Sequence, residues 1–301
     1  MRTIPSRNYV YTVDTFKNGV VFGQHSSLSP DGRDLAKTDR INQALMLSIE
    51  DKRGALPLNS RYLFFRSQPD IALIRQLNKL SQSGVLRRAT IYFGVSSDPF
   101  LPFNDKFDTT RKFLEIFERY RPGMLYVQTR SSLIVLLLPI LQQFGKHLAV
   151  TMGVETLRED VAKRYTPEFP LVDERLRAVH ALRNCGIETH LQVAPLLPYG
   201  DWKNDAGVFA DLLCSYGDRI RIAAPLAGNL NVRSSSKSGI TTLLSEKSRL
   251  VRDLASHRQY FWLRHDSDEP LIKSVKERAP DKLENPRRIH LEEPQLSIFA
   301  A

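Results

Sequence analysis

The chain has 301 residues, 42% hydrophobic and 25% charged, enough for one barrel-sized domain with its own core and unlike a disordered chain or a small disulfide scaffold. The 43 Lys and Arg against 33 Asp and Glu leave a formal +10, a balance that favours polyanionic partners and is also met in proteins that bind none. No apolar run approaches the about 18 residues of a membrane span, no apolar leader follows the N-terminus, and two cysteines suit a reducing compartment, so a cytoplasmic protein without membrane contact is expected.

Residues 7–23 alternate Tyr9, Tyr11 and Val13 with polar neighbours, turn at Lys17-Asn18-Gly19 and continue into Val20-Val21-Phe22, a hairpin expected to cap one end of a barrel. Residues 26–40 are loop-like around Ser29-Pro30-Asp31-Gly32, and Thr38 is placed to cap a helix over 39–50. After a connection holding Gly54 and Pro57, residues 62–65 read as a buried strand and 69–81 as a helix with Pro69 in its first turn. From Thr90 to Gly200, β-branched or aliphatic runs (90–93, 125–129, 148–151, 187–194) alternate with amphipathic segments (107–120, 132–144, 172–185). This is the pattern of parallel strands joined by crossover helices. A helix over 206–215, a strand over 220–224, a helix from Thr241 to about His257 and a last strand over 260–264 follow. The tail from Ala279 carries Pro280, Pro286 and Pro294 and reads as irregular. There is no internal repeat and no sign of a second domain.

The strand ends are followed by Ser96, Ser97 and Asp98; Thr129, Arg130 and Ser131; Gly153 and Glu155; and Pro195. In a parallel barrel the C-terminal strand ends carry the ligand site, so these residues are expected to line a mouth. Basic residues are concentrated elsewhere. Arg61, Arg66, Arg75, Lys79, Arg87 and Arg88 are opposed within their stretch by Asp70 alone, and the 219–258 stretch is similarly rich. Arg233 and Lys237 lie in a small polar run suited to touching phosphates or to a plain linker. Of these, Arg61, Arg66, Arg87, Arg88, Arg233 and Lys237 are the candidate nucleic-acid contacts, although the same charges also make solvated helix faces. His180, His190 and Cys185 fall within apolar periodicity and are expected to be packed. No nucleophile elbow, zinc-protease motif, P-loop or Rossmann glycine triplet is present.

Five segments in order, Gly94 to Pro102, Thr129-Arg130-Ser131, Thr151 to Thr156, Thr166-Pro167, and Arg175-Leu176-Arg177-Ala178-Val179 with Leu182 and Cys185-Gly186-Ile187, resemble the core of the spore photoproduct lyase branch of the radical SAM superfamily. The resemblance covers about half of the chain, and Phe64-Phe65-Arg66 is a weaker match further upstream. It implies a partial or complete parallel (β/α) barrel, with Ser96, Ser97, Asp98, Thr129, Arg130, Ser131, Thr151, Glu155 and Pro195 around S-adenosylmethionine. Arg130 would stand where the family places a lysine that reaches the methionine carboxylate, and Thr151 and Glu155 where ribose and amino group are held.

The departure is as informative. A radical SAM enzyme holds a four-iron cluster on three cysteines in one loop after the first strand. Here the only cysteines are Cys185 and Cys214, and the stretch expected to carry that loop, 20–39, offers His25 as its one soft ligand. The single domain 1–301 thus divides into a hairpin and degenerate cluster region (1–59), a family-like core (60–225) and a C-terminal extension (226–301). The reading that follows is a noncatalytic, nucleic-acid-associated protein related to DNA repair or modification, without a 4Fe-4S cluster and with S-adenosylmethionine binding weak or lost. Two alternatives remain: a SAM-binding enzyme or sensor with nonradical chemistry, and a radical enzyme whose cluster ligands come from a protein partner.

Overall fold

The computed structural model describes residues 9–16, 19–25, 62–65, 68–95, 98–100, 106–222, 252–264 and 266–284. Eight strands form one sheet: β1 (Tyr9–Phe16), β2 (Gly19–His25), β3 (Tyr62–Phe65), β4 (Ala89–Phe93), β5 (Met124–Thr129), β6 (Leu148–Gly153), β7 (Glu188–Val193) and β8 (Arg219–Ile222). Their spatial order is β3-β2-β1-β4-β5-β6-β7-β8, with β2 antiparallel to both neighbours and β1 and β4 to β8 all parallel. Parallel neighbours need a crossover. The chain supplies α1 (Pro69–Gln82), α2 (Lys106–Arg119), α3 (Leu138–Gln142), α4 (Glu159–Tyr165), α5 (Val172–Asn184), α6 (Ala206–Tyr216) and α7 (Glu269–Arg278). The six-stranded parallel sheet stays open, so the architecture is a partial barrel and not a closed one.

The helices cover one face. On β5 the alternation puts Leu125 and Val127, both fully buried, toward the helices and Tyr126 and Gln128 on the other side. Phe93 meets Phe113 and Phe117 of α2 at centroid distances of 6.1 and 5.7 Å. Val179 and Leu182 of α5 and Phe209 and Leu213 of α6 extend the same apolar layer. At about 25 cal/mol per Å², each such side chain contributes roughly 1.5–3 kcal/mol, which is why this layer sets the sheet's register.

Three expectations are corrected. The N-terminal hairpin is not an end cap: β1 pairs in register with β4, Val13 opposite Phe93, and is itself the first parallel strand. Residues 132–144 are not one helix but a 3-10 turn (Ser132–Leu137) followed by α3, because Pro139 lies in the first turn of α3 and brings no N–H to a continuous ladder. Residues 260–264 are not a strand. Tyr260–Leu263 is a 3-10 turn whose rings pack on the loop after β7, Trp262 against Tyr199 at 4.8 Å and Phe261 against Trp202 at 4.3 Å. Residues 269–278, for which no element was expected, form α7, which packs Leu271 and Val275 into the core, and beyond it Leu283 bridges to Ile220 at the β8 edge. The expected helix over 39–50, Ser96, Ser97, Arg61, Arg66, Arg233, Lys237 and the 241–251 part of the expected C-terminal helix lie outside the described residues.

Candidate functional site

The mouth is built from the loops that leave β4, β5, β6 and β7. Past β4 the chain turns sharply at Gly94, whose φ of +91° suits glycine. A Cβ there would come within 2.5 Å of the Pro99 ring and 2.7 Å of the Gln128 carbonyl oxygen. This turn delivers Asp98 to the end of β5. One Asp98 oxygen accepts from the Phe100 N–H (2.9 Å) and the Thr129 hydroxyl (2.8 Å), and the other from the Arg130 N–H (2.6 Å). Thr129 accepts in turn from the Ser131 N–H at 2.9 Å, and Ser131 caps the next turn through the Leu133 N–H. Asp98, Thr129 and Ser131 are all buried. Their hydrogen-bonding capacity is directed into the protein, where it clamps two strand ends together.

Glu155, past the end of β6, is 2% exposed and sits between two guanidinium groups. One of its oxygens accepts from Arg130 Nε, and the other accepts from Arg175 Nη1 at 3.0 Å. Arg175, on α5, is 1% exposed. It also donates to the carbonyls of Pro170 (2.9 Å) and Gly153 (3.2 Å) and to the Thr166 hydroxyl (3.0 Å). Burial pulls this guanidinium below its ordinary range, and the Glu155 carboxylate opposes that shift. Phe169 lies between the two arginines, each 5.8 Å from its ring centroid. Gly153 is required beneath them, because a Cβ would stand 2.8 Å from both Arg130 Cγ and a Glu155 oxygen. Arg130, 31% exposed along its side chain, also donates to the Ala194 carbonyl at 3.3 Å and is the charged group this network presents to solvent.

The sheet face opposite the helices is polar. In register across it run Tyr92 and Tyr126, then Gln128, Thr151, His190 and Arg219, then Gly153, Gln192 and Arg221. Tyr92 and Tyr126 stack at 4.9 Å, and Gln128 donates its amide to the Gln192 side-chain oxygen across β6. His190 places its ring nitrogens 3.0 Å from Glu188 and 3.4 Å from Glu284. It is buried at the strand level, as its periodicity implied. Burial, with Glu188 and Glu284 adding to it, pushes the Tyr126 phenol above its usual range.

No family model matches the chain. An uncharacterized protein (ORF301) of Acidianus two-tailed virus is 25% identical over 165 residues, an alignment covering 54% of each chain. Among solved structures, the chain is similar to spore photoproduct lyase complexed with dinucleoside spore photoproduct (TM-score 0.42, 14% identity, 59% of this chain and 50% of that one). It is likewise similar to the radical S-adenosylmethionine methyltransferase TsrM from Kitasatospora setae (0.39, 14%, 55% and 31%) and to anSMEcpe with bound AdoMet (0.38, 12%, 71% and 59%). The chain therefore spans about half the length of the relatives it matches.

The structure brings Asp98, Thr129, Arg130, Ser131 and Glu155 into one connected group, with Thr151 half-buried on the open face and Pro195 exposed at the end of β7. Arg87 and Arg88 stand elsewhere. They form an exposed turn ahead of β4, at the opposite end of the strands, with Arg88 5.3 Å over the Tyr9 ring. A three-thiolate cluster does not fit the described residues. Cys185 ends α5 ahead of β7, and Cys214 lies within α6, its thiol pushed up by burial. The connection leaving β1 is two residues long and leads straight into β2, where residue 25 pairs with Val10 at the far end from the mouth. Among the described residues no group of three His, Cys, Asp or Glu is placed to hold a metal, and no helix is long and apolar enough to cross a membrane.

Sequence reasoning gave Arg175 no role in the site. The signal was present: Val172, Leu176, Val179 and Leu182 mark the buried stripe of α5, and Arg175 falls on it. A charged residue on a buried stripe requires a partner, and Glu155 is that partner.

Proposed function

We propose that this chain is a spore photoproduct lyase-like derivative of the radical SAM fold that has lost its iron-sulfur site and works as a noncatalytic, nucleic-acid-associated protein of the DNA repair or modification kind. The observation that carries the reading is the β1 to β2 connection. A cluster loop needs three thiolates and a length of chain after the first parallel strand, whereas β1 passes through two residues into an antiparallel partner.

What supports a ligand-bearing mouth is the Asp98, Arg130, Glu155 and Arg175 network at the C-terminal strand ends. Arg130 is the residue suited to a carboxylate such as that of S-adenosylmethionine. Asp98 and Glu155 already have protein partners for their oxygens, which leaves fewer groups for a small molecule and fits weak or absent binding. The polyanion reading is supported by the net +10 and by the exposed Arg87 and Arg88 turn.

Two measurements on the purified full chain test it. Anaerobic reconstitution with iron and sulfide should leave no stable absorbance near roughly 400 nm, since a cluster needs about three or four cysteine ligands. DNA binding should weaken with salt along a log-log slope near −0.9 per neutralised phosphate. About four irons per chain, lost on changing Cys185 or Cys214, would refute the cluster-free reading; no binding to DNA or RNA at about 50 mM salt would refute the nucleic-acid role.

A further inference from the structure

The loop that leaves β7 carries Trp202, and the 260–264 turn brings Phe261 flat against it, with centroids 4.3 Å apart and planes inclined by 7°. Each ring of this pair also has a cation over it. Lys203 Nζ is 5.0 Å from the Trp202 ring centre, and the Arg264 guanidinium is 5.7 Å from that of Phe261. The two cations differ in their other commitments. Arg264 is held by Asp266, Nε to Oδ1 at 2.8 Å, whereas among the described residues the Lys203 ammonium lies over the indole without a salt bridge, its charge reaching the Asp201 carboxyl, which it helps the Asn204 and Lys203 N–H groups to hold below its ordinary range. The pair packs against the margin of the core without entering it. Trp202 and Phe261 are half-buried and neighbouring Tyr260 is 61% exposed, while Trp262 of the same turn is the ring that enters the interior, at 2%.

We infer that the Trp202 and Phe261 stack is a docking platform for an unpaired base of single-stranded nucleic acid, with Trp202 as the stacking face and Lys203 as the phosphate contact. An indole covered by one flexible ammonium can exchange it for a base at little cost, and the displaced ammonium then meets the adjoining phosphate. A paired base presents no free face, so the partner is single-stranded. Position supports the choice. The loop begins at Pro195 on the mouth side, where the Leu197 N–H donates to the Glu155 carbonyl at 2.9 Å, so the stack is carried by a loop anchored at the C-terminal ends of the strands. The platform rests on the nucleic-acid reading above and is separate from the Arg87 and Arg88 turn at the other end of the strands.

The chain has two tryptophans, and with Trp262 buried, Trp202 is the one whose emission a stacked base would quench. The probes are an oligothymidylate of about 12 nucleotides, an abasic strand of the same length, and a duplex, each titrated at low salt and followed by tryptophan emission and by anisotropy of a terminal dye. The oligothymidylate should quench and the abasic strand should not. Trp202→Leu should weaken oligothymidylate binding about 5- to 100-fold while leaving the abasic strand nearly unchanged. Trp202→Phe, which keeps a stacking face if the leucine variant folds poorly, should retain most of the affinity and lose the quench. Lys203→Glu should weaken both strands. Tight oligothymidylate binding without quenching, or equal affinity in wild type and Trp202→Leu, overturns the platform while the nucleic-acid role stands. Failure of all three probes to bind overturns both.

Discussion

Replacing Glu155 with glutamine removes one negative charge and almost no volume, and it isolates what that charge does. In the native protein Glu155 neutralises Arg175, which at 1% exposure cannot turn to water. The variant leaves Arg175 bonded to Pro170, Gly153 and Thr166 but without a counterion, and breaking a buried pair in this way costs about 3–5 kcal/mol. Because the new amide oxygen still accepts a hydrogen bond, the lower end applies, about 3 kcal/mol. At roughly 2–4 °C per kcal/mol for a domain of this size, the melting midpoint should fall by about 6–12 °C. Urea unfolding should show a lower midpoint with an unchanged slope. Arg175→Met should also destabilise, though less in its electrostatic part, since Glu155 keeps Arg130. The double variant Glu155→Leu, Arg175→Met should be more stable than additivity predicts, with a coupling of about 1–3 kcal/mol. A loss under about 0.5 kcal/mol for Glu155→Gln, the range of an ordinary surface change, would refute the claim that this carboxylate is the counterion of a buried guanidinium.

Calorimetry with S-adenosylmethionine should show weak binding, and Arg130→Ala should reduce it by about 1.5–3 kcal/mol, as for a charge-assisted bond; equal affinity in both proteins would place any such ligand elsewhere. Charge reversal at Arg87 and Arg88 should flatten the salt slope of DNA binding, and an unchanged slope would remove that turn from the interface. Gly94→Ala should cost about 2–3 kcal/mol, because a positive φ and two close contacts combine at that turn; a neutral effect in urea unfolding would count against the tight turn. The Tyr165 hydroxyl, with Arg164 beside it, holds the Asp253 carboxyl below its ordinary value of 3.8. A folded value below the unfolded one means that the contribution is present above about pH 4 and is lost as pH falls through the folded value. Amide exchange around 252–258 should therefore accelerate below about pH 4 in wild type, whereas Asp253→Asn should exchange quickly at every pH; identical profiles would sink the assignment.

The parallel core was legible because its signals are local. The 125–129 and 148–151 runs show strand composition, and the 107–120 and 172–185 segments show helical spacing. What was not legible depends on partners far along the chain. Nothing in Tyr9, Tyr11 and Val13 says that their strand lies beside β4, and nothing in Tyr260-Phe261-Trp262 says that Tyr199 and Trp202 will take those rings out of a strand. Helix α7 had a readable start at Pro270, which the reading of the sequence passed over. In the mouth, the sequence identified Asp98 and Glu155 as polar groups at strand ends. Whether such a carboxylate faces a ligand or a buried guanidinium is decided by where Arg175 comes to rest, which no local pattern specifies.

A closed ring of parallel strands needs the last strand to zip onto the outer rim of the first. In this chain the outer rim of β1 is taken by β2 along seven residue pairs, from Val10 with His25 to Phe16 with Gly19. A ring closed from the β8 side would have to reach β3 beyond the hairpin, and it would contain the antiparallel β2, so an all-parallel ring is ruled out while the hairpin stands. In the described sheet the polar face therefore stays open between the two end strands, β3 and β8.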